Sequence, residues 1–403
     1  MDFVTRSLNR YVEVVCKWEC AERLKENSQL IASKGYPVKE YSITTKDGYI
    51  LGLQRIPWGR DQPRVSGGKP PVLVVHGLLC SAADWVINYP KDSLGFILAD
   101  HGFDVWLGNV RGNTYSRQHR TLSIHGRSKF WQFSFHEQGI YDIPAMVDFV
   151  LKETGMPQLF YVGHSQGTMV MFVLLSEMPE YNRKIAVFAA LAPVSTITHI
   201  KSPIRLLAPM CRVSKVCLKI LGVGEVGKSS RLMKLVRKKT CTSRYTKAIC
   251  SNLMFLLFGP DTKFMNKTRL NVYLTHDPAG TSVKNLVHFG QMINSKKFRK
   301  FDYGPTKNLK LYGQREPPEY PLERIRAPVA LFWSPTDWMA PSRDVQGLRK
   351  RLRSVVLDYK MPIDDFGHLD FLFGTNVTKV LYARVVALFQ HYLKGMHANE
   401  RLE

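Results

Sequence analysis

The chain has 403 residues, of which 45% are hydrophobic and 22% are charged, a balance that is ordinary for a soluble globular enzyme. This length suits one large α/β domain with an inserted subdomain, whose core needs no disulfide framework. The formal net charge of +24 favours polyanionic partners, such as nucleic acid or an anionic lipid surface. Because the sequence contains no zinc finger, RRM-like aromatic signature or helix-turn-helix, no nucleic-acid partner is expected.

The N-terminal sequence does not have the pattern expected of a signal peptide. Asp2, Arg6 and Arg10 interrupt the region where a signal peptide has an unbroken apolar stretch. No run of about 18 apolar residues occurs, so no transmembrane helix is expected. Two interpretations stay open: the protein remains inside the cell, or this chain lacks its original leader.

The predicted elements alternate between strands and helices along the chain. An amphipathic helical segment at 1–35 precedes the alternating residues 39–57, which predict a β-hairpin around Lys46-Asp47-Gly48. Short apolar strands are predicted at 70–79, 103–110, 159–163, 185–193, 327–335 and 354–362, and helices at 93–102, 139–154 and 375–394. This alternation predicts an α/β fold with a mainly parallel central sheet and helices on both faces.

The alternation stops between residues 196 and 325, which we interpret as an insertion. An excursion of this length between two core strands predicts a mostly helical cap or lid over the active-site face. The expected organisation is an N-terminal helical segment at 1–35, a first core part at 36–195, the cap at 196–325 and a second core part at 326–403. Residues 201–240 contain eleven Lys and Arg against the single acid Glu225. This basic stretch predicts either peripheral contact with anionic lipid or a plain solvated face.

The pentapeptide Gly163-His164-Ser165-Gln166-Gly167 lies between a predicted strand and a predicted helix. It fits G-x-S-x-G, in which small residues on both sides allow a sharp, strained turn that exposes the serine hydroxyl. The flanking strand and helix make the motif more specific than the bare pattern. Ser165 is therefore the predicted nucleophile.

A serine hydroxyl needs a base that accepts its proton and an acid that orients the base. After such a motif the acid and the base follow in that order, each beyond a late strand. Asp337 follows the strand at 327–335 and His368 follows the strand at 354–362, which predicts their roles. Neighbouring residues are assigned other roles: Asp344 at a helix start, Asp364 and Asp365 in a solvated turn, Asp370 as a cap, His391 on a helix and His164 in packing.

Ester hydrolysis also needs N–H donors for the tetrahedral oxyanion. One is expected from the residue after the nucleophile, Gln166, and the other from the loop after the early strand, at Leu78. The alternative for His76-Gly77 is an ordinary turn that ends the strand.

Long blocks of the sequence resemble the acid lipase family, which includes gastric and lysosomal acid lipases. These blocks are GYPVKEYSITTKDGYILGLQRIP, HGLLCSAADWVINYPKDSLGFILADHGFDVWLGNVRGNTYSRQH, FWQFSFHEQGIYDIPAMVDFV, GHSQGT, NVYLTHDPAGTSVKNLVHFGQ and TDWMAPSRDV. They run in order from about residue 18 to about residue 394, which is far more specific than the pentapeptide. The resemblance implies an α/β-hydrolase core with a cap and lid that hydrolyses triacylglycerols or cholesteryl esters.

The resemblance also implies roles for individual residues. Ser165, Asp337 and His368 match the family's triad, and Leu78 and Gln166 match its oxyanion residues. Cys241 and Cys250 match the family's cap disulfide, and Asn266 resembles one of its glycosylated positions. Asn376 begins a second sequon. The departures from the family pattern are the missing leader, the additional Cys16, Cys20 and Cys80, and the basic stretch 201–240.

The function expected on these grounds is a serine lipase that needs no metal or organic cofactor and works at a lipid–water interface. The family resemblance implies a secreted or lysosomal location, whereas the N-terminal sequence does not have the signal peptide pattern that such a location requires. Two alternatives are kept: a carboxylesterase that acts on smaller soluble esters, and a non-catalytic lipid-binding protein on a hydrolase fold. The oligomeric state cannot be inferred from the sequence.

Overall fold

The computed structural model describes residues 26–62, 68–125, 128–212, 224–227, 259 and 264–400. Several predictions concern residues outside these ranges: residues 1–25 of the helical segment, the Cys241–Cys250 disulfide and most of the basic stretch 201–240. In the part of the chain that is described, no helix combines the length and the apolar character that a membrane span needs.

The core of the fold is one sheet that is parallel over most of its width. Its strands and those of a small second sheet are, in chain order, β1 (Lys39–Thr44), β2 (Tyr49–Ile56), β3 (Pro71–Val75), β4 (Asp104–Gly108), β5 (Gln118–His119), β6 (Leu159–His164), β7 (Ile185–Leu191), β8 (Glu225–Val226), β9 (Thr281–Ser282), β10 (Val329–Trp333) and β11 (Val355–Lys360). The main sheet has the order β1-β2-β4-β3-β6-β7-β10-β11, with β5 beside β2, while β8 pairs with β9. The pairs among β3, β4, β6, β7, β10 and β11 are parallel, whereas β1 and β2 are antiparallel to their neighbours.

Helices cover both faces of this sheet. They are α1 (Asn27–Ser33), α2 (Leu94–Asp100), α3 (Phe135–Glu137), α4 (Ile143–Thr154), α5 (Gln166–Glu177), α6 (Leu270–His276), α7 (Val283–Ser295), α8 (Pro305–Tyr312), α9 (Ser342–Arg351), α10 (Asp370–Phe373) and α11 (Ala383–Glu400). Every residue of β3, β4, β6, β7 and β10 is buried, which requires cover on both faces. The predicted α/β fold with a mainly parallel sheet is therefore confirmed.

The predicted elements agree with the structure except near their ends. The hairpin at 39–57 corresponds to β1 and β2, and the strand predicted at 354–362 is the shorter β11. The helices predicted at 139–154 and 375–394 each contain a π-helical turn, at Gln138–Asp142 and Thr378–Tyr382. The pairing of β8 with β9 inside the interval 196–325 was not predicted, because two-residue strands leave no periodicity in a sequence.

A buried ion cluster attaches the β1–β2 turn to the segment that precedes α4. The guanidinium of Arg111 contacts an Asp47 carboxylate oxygen at 2.6 Å and an Asp142 carboxylate oxygen at 2.7 Å. It also lies 3.8 Å from the centre of the Tyr49 ring. Arg111 and Asp142 are buried, so each charge depends on the other for the interactions that water would otherwise provide.

We expect Arg111→Ala to lower the free energy of unfolding by about 3–5 kcal/mol, because Asp142 would be left as an uncompensated buried charge. Urea unfolding monitored by tryptophan fluorescence measures this loss. The matched control is Arg60→Ala, since Arg60 pairs with Asp61 through side chains that are 48% and 85% exposed. That variant should change stability by less than about 0.5 kcal/mol. Equal losses in the two variants would contradict the structural role of the cluster.

Candidate active site

Ser165 lies in the turn between β6 and α5, in a backbone conformation that residues other than glycine rarely adopt. Its φ is 54° and its ψ is −117°. A methyl group at Gly163 would lie 2.6 Å from the Gly167 backbone, and one at Gly167 would lie 2.2 Å from the carbonyl oxygen of Val75. The turn therefore requires both glycines of the motif, because α5 begins in direct contact with β3.

The structure brings the side chains of Ser165, His368 and Asp337 into one hydrogen-bonded chain. His368 Nε2 lies 2.8 Å from Ser165 Oγ, and His368 Nδ1 lies 2.8 Å from Asp337 Oδ2. Asp337 follows β10, and His368 lies in the loop between β11 and α10. All three residues are buried, so this chain is shielded from bulk water. The arrangement can remove a proton from the serine hydroxyl and hold the imidazolium that results.

The surroundings of Asp337 favour its ionised form. Burial by itself raises the pKa of a carboxyl, but His368 and the N–H groups of Ala340 and Met339 hold the pKa of Asp337 below its ordinary value. Those two N–H groups donate to Asp337 Oδ1 at 2.9 Å and 2.8 Å. An ionised Asp337 keeps the His368 proton on Nδ1, which leaves Nε2 free to accept the proton of Ser165.

His164, which the sequence assigned to packing, has a specific polar contact. Its Nε2 lies 3.0 Å from the carbonyl oxygen of His368, and the two rings are 4.8 Å apart between centres. Burial, followed by the neighbouring His368, lowers the pKa of His164 to about 3. His164 is therefore neutral and donates its Nε2–H to the backbone of His368. His164 thus packs against His368 and Phe371, and it makes in addition a hydrogen bond that the sequence did not indicate.

The other residues weighed from the sequence lie as expected, except that Leu369 and not Asp370 is the N-cap of α10. Asp344 is in the first turn of α9, where it accepts hydrogen bonds from the backbone N–H and from Nδ1 of His199. Asp364, Asp365 and His391 are exposed. Asp370 begins α10, and its carboxylate accepts the N–H of Gly367 at 2.6 Å.

The loop after β3 lies directly against the nucleophile. A methyl group at Gly77 would be 3.3 Å from Ser165 Cβ. His76 anchors this loop: its Nε2 accepts from Val110 N–H at 3.3 Å and its Nδ1 lies 2.9 Å from the Gly77 carbonyl oxygen. The His76 side chain therefore fixes this loop through contacts that an ordinary strand-ending turn does not make.

Two N–H groups next to Ser165 are available to an oxyanion. No acceptor among the described residues receives the backbone N–H of Leu78. Gln166 is the first residue of α5, where N–H groups have no partner within the helix. Both were predicted as oxyanion donors, and the structure places them on the two segments that meet at Ser165.

The two sequons differ in accessibility. Asn376 is exposed, whereas Asn266 is half-buried and its Oδ1 accepts from Thr268 Oγ1 at 2.7 Å. Glycosylation at either position stays a prediction, as does the disulfide between Cys241 and Cys250.

Among the described residues, one group could offer three ligand atoms to a metal ion. Cys80, Asp84 and Asp277 bring a sulfur and two carboxylate oxygens within 4.8 Å of one another. Burial and the neighbouring carboxylates raise the pKa of the Cys80 thiol well above its ordinary value, so it is a poor metal ligand. Burial raises the pKa of Asp84 to about 7, although hydrogen bonds with Cys80 and Asp277 act in the opposite direction. Asp84 is thus protonated over a wider pH range than an exposed aspartate, which opposes metal binding by this group.

Two family profiles match the chain. The partial α/β-hydrolase lipase region matches residues 27–89, and the α/β hydrolase fold matches residues 70–209. Human lipase member K is 40% identical over 369 residues, covering 91% of each chain. Human lysosomal acid lipase/cholesteryl ester hydrolase is 41% identical over 91% of this chain and 90% of its own length. Lipase lipl-1 of Caenorhabditis elegans is 40% identical over 90% of this chain and 91% of its own length.

Solved structures share the fold at much lower identity. A candidate aryl esterase from Burkholderia cenocepacia aligns with a TM-score of 0.53 at 15% identity, over 88% of this chain and all of its own. DcsB in complex with its substrate analogue aligns with a TM-score of 0.53 at 11% identity, over 89% of this chain and 99% of its own. These likenesses support the fold alone.

We predict that Asp84→Asn flattens the dependence of stability on pH. The folded protein holds the Asp84 proton up to a pH of about 7, whereas the unfolded chain releases it near the ordinary value of 3.8. Asp84 should therefore contribute a fall in the free energy of unfolding of the wild type between about pH 4 and pH 7. Asn cannot ionise, so the variant should lose this contribution, and its stability should depend less on pH between about pH 4 and pH 7 than that of the wild type.

Chemical unfolding at half-unit pH steps measures this effect. Asp364→Asn, which changes an exposed carboxylate, is the control and should follow the wild type. Parallel stability curves for the Asp84 variant and the wild type would show that Asp84 carries no extra proton in the fold.

Proposed function

The chain belongs to the acid lipase family and is a lipase, and we propose that it cleaves fatty-acyl esters of neutral lipids with Ser165, His368 and Asp337 as its catalytic triad. The observation that carries this proposal is the hydrogen-bonded chain from Ser165 through His368 to Asp337, with 2.8 Å at each step. This hydrogen-bonded chain begins at Ser165, which lies on the strained turn between β6 and α5.

The proposed reaction is acyl transfer in two halves. Ser165 Oγ attacks the ester carbonyl carbon while His368 Nε2 accepts the hydroxyl proton, and the N–H groups of Leu78 and Gln166 stabilise the oxyanion. Collapse of this intermediate breaks the ester C–O bond, and His368 gives its proton to the departing alcohol. Water, deprotonated by His368, then attacks the acyl-enzyme, and the fatty acid leaves as Ser165 regains its proton.

The names of the relatives support a lipid ester as the substrate. One of them is named for the hydrolysis of cholesteryl esters, and others are named as lipases. We propose triacylglycerol or cholesteryl ester as the substrate, presented at a lipid–water interface to a cap formed by residues 196–325. A carboxylesterase that prefers small soluble esters is the alternative. A non-catalytic lipid-binding protein is disfavoured by the intact chain of hydrogen bonds at Ser165.

The test is a panel of triolein, cholesteryl oleate, retinyl palmitate and p-nitrophenyl butyrate across acid to neutral pH, with Ser165→Ala as the control. We expect the wild type to favour a water-insoluble ester and the Ser165 variant to lose at least about 10³-fold in kcat. Unchanged hydrolysis by the Ser165 variant would exclude the proposed nucleophile. A preference for the butyrate ester that is unaffected by emulsified lipid would favour the carboxylesterase.

We also propose that the protein follows the secretory route to the lysosome or the cell exterior. The name of a lysosomal relative and the sequons at Asn266 and Asn376 support this location. The exposure of Asn376 would allow a glycan to be attached without disturbing the core.

The basic stretch 201–240 is proposed to attract the enzyme to anionic lipid, since each Lys or Arg near such a surface adds about 1 kcal/mol of attraction. Vesicle sedimentation with Ser165→Ala should show binding that rises with phosphatidylserine content and falls with salt. Replacing Arg237, Lys238 and Lys239 by Gln should weaken binding to these vesicles. Replacing three exposed lysines outside the interval 196–325 by Gln should weaken it less; these are Lys152, Lys379 and Lys394. Equal binding to neutral and anionic vesicles would contradict this proposal.

A further inference from the structure

A row of buried carboxamides joins the first turn of α5 to α7. The Gln166 side chain donates from Nε2 to Gln138 Oε1 at 2.8 Å and accepts at Oε1 from Asn285 Nδ2 at 2.8 Å. All three side chains are buried. Asn285 lies on α7, within the interval 196–325, while Gln166 directly follows the nucleophile. The interval that interrupts the core therefore supplies a direct contact to the catalytic turn.

The direction of these hydrogen bonds is fixed by a backbone group. The N–H of Phe135 donates to Asn285 Oδ1 at 2.8 Å, so the amide nitrogen of Asn285 must face Gln166. Gln166 consequently presents its oxygen to Asn285 and its nitrogen to Gln138. Asn285 Nδ2 also donates to Thr281 Oγ1 at 3.1 Å. The conformation of Gln166 thus depends on the donor at Asn285.

Helix α7 is held in place by contacts that do not involve the Asn285 side chain. Lys284 Nζ lies 2.7 Å from Glu137 Oε1, and both side chains are largely buried. His288 Nδ1 lies 3.0 Å from Ser134 Oγ, and Ser282 caps the start of the helix. These contacts of α7 stay in place when the carboxamide of Asn285 is removed, whereas Phe135 N–H and Gln166 Oε1 each lose a hydrogen-bond partner.

We propose that Asn285 is a positioning residue for catalysis, which acts through the Gln166 carboxamide to hold the Gln166 N–H toward the oxyanion. Oxyanion donors act only when they lie about 2.7–3.1 Å from the oxygen that develops charge, so a small rotation of the first turn of α5 weakens them. This inference rests on the proposed function, in which Ser165 is the nucleophile and Gln166 supplies an oxyanion donor.

The test compares Asn285→Ala with the wild type on p-nitrophenyl butyrate, a soluble ester that avoids interfacial effects. Active sites are titrated with a fluorescent phosphonate, and a trifluoromethyl ketone serves as the analogue of the tetrahedral oxyanion. We expect kcat to fall about tenfold or more and KM to change less than about threefold, since the full loss of one oxyanion donor costs about 10²–10³-fold. The inhibition constant of the ketone should rise by the same factor as kcat/KM falls.

The matched control is Asn308→Ala. Asn308 is also buried and makes three polar contacts, with Tyr303 N–H, Asp302 Oδ1 and the Arg315 carbonyl oxygen. This variant should lose stability while keeping both kcat and the inhibition constant of the ketone. If Asn285→Ala loses stability in the same way and keeps both constants, Asn285 is merely structural and the inference is overturned. That outcome leaves the proposed function standing, whereas an active Ser165→Ala would remove the proposed function itself.

Asn285→Asp keeps the proposal testable if the alanine variant does not fold. When it is ionised, the introduced carboxylate accepts from the Phe135 N–H but offers Gln166 no donor, whereas the protonated carboxyl donates an O–H to Gln166 Oε1. We therefore expect the ratio of variant kcat to wild-type kcat to approach one at acidic pH and to fall as pH rises. A ratio that is independent of pH, at constant folded fraction by circular dichroism, would contradict the positioning role.

Discussion

The close approach of α5 to β3 is the constraint on which the rest of the site depends. A methyl group at Gly167 would lie 2.2 Å from the carbonyl oxygen of Val75, so a residue with a side chain at this position would not allow so close an approach. Ser165 then has to adopt a φ of 54°, a conformation that costs about 1–3 kcal/mol. The fold offsets that cost with two hydrogen bonds: the Ser165 N–H donates to the Leu191 carbonyl at 3.0 Å, and its carbonyl accepts from Thr168 Oγ1 at 2.6 Å. Strands on both sides of β6 thereby fix the nucleophile.

Around this turn the fold keeps the neighbouring histidines uncharged. Burial lowers the pKa of His76 to about 4 and that of His164 to about 3, so neither carries charge near neutrality. This matters because His368 becomes positively charged when it accepts the proton of Ser165. A charged His164, with its ring centre 4.8 Å away, would oppose that step. Because His164 is neutral, the developing charge on His368 faces the carboxylate of Asp337 with no opposing cation at that position.

Most of the fold and the core of the site could be predicted from the sequence, because they leave local signals. Continuous apolar runs indicated the buried strands, and the order of Ser165, Asp337 and His368 after successive strands indicated which side chains would meet. The polar contacts of His164, Asn285 and Asp84 could not be predicted in this way. Each depends on a partner more than a hundred residues away or on complete burial, and a buried polar side chain has no periodicity that distinguishes it from an exposed one. The buried pair formed by Arg111 and Asp142 was missed for the same reason.

Both proposed oxyanion donors are tethered to one short segment, residues 277–285. The carbonyl of Leu79, next to Leu78, accepts the N–H of Ala279, and the Gln166 side chain accepts from Asn285. The two donors follow β3 and β6, which are paired in the sheet, and residues 277–285 contact both segments beyond the ends of these strands. An oxyanion tolerates only a few tenths of an ångström at each donor. In the proposed mechanism, docking of residues 277–285 therefore helps to place both donors, although no side chain of this segment belongs to the proposed triad.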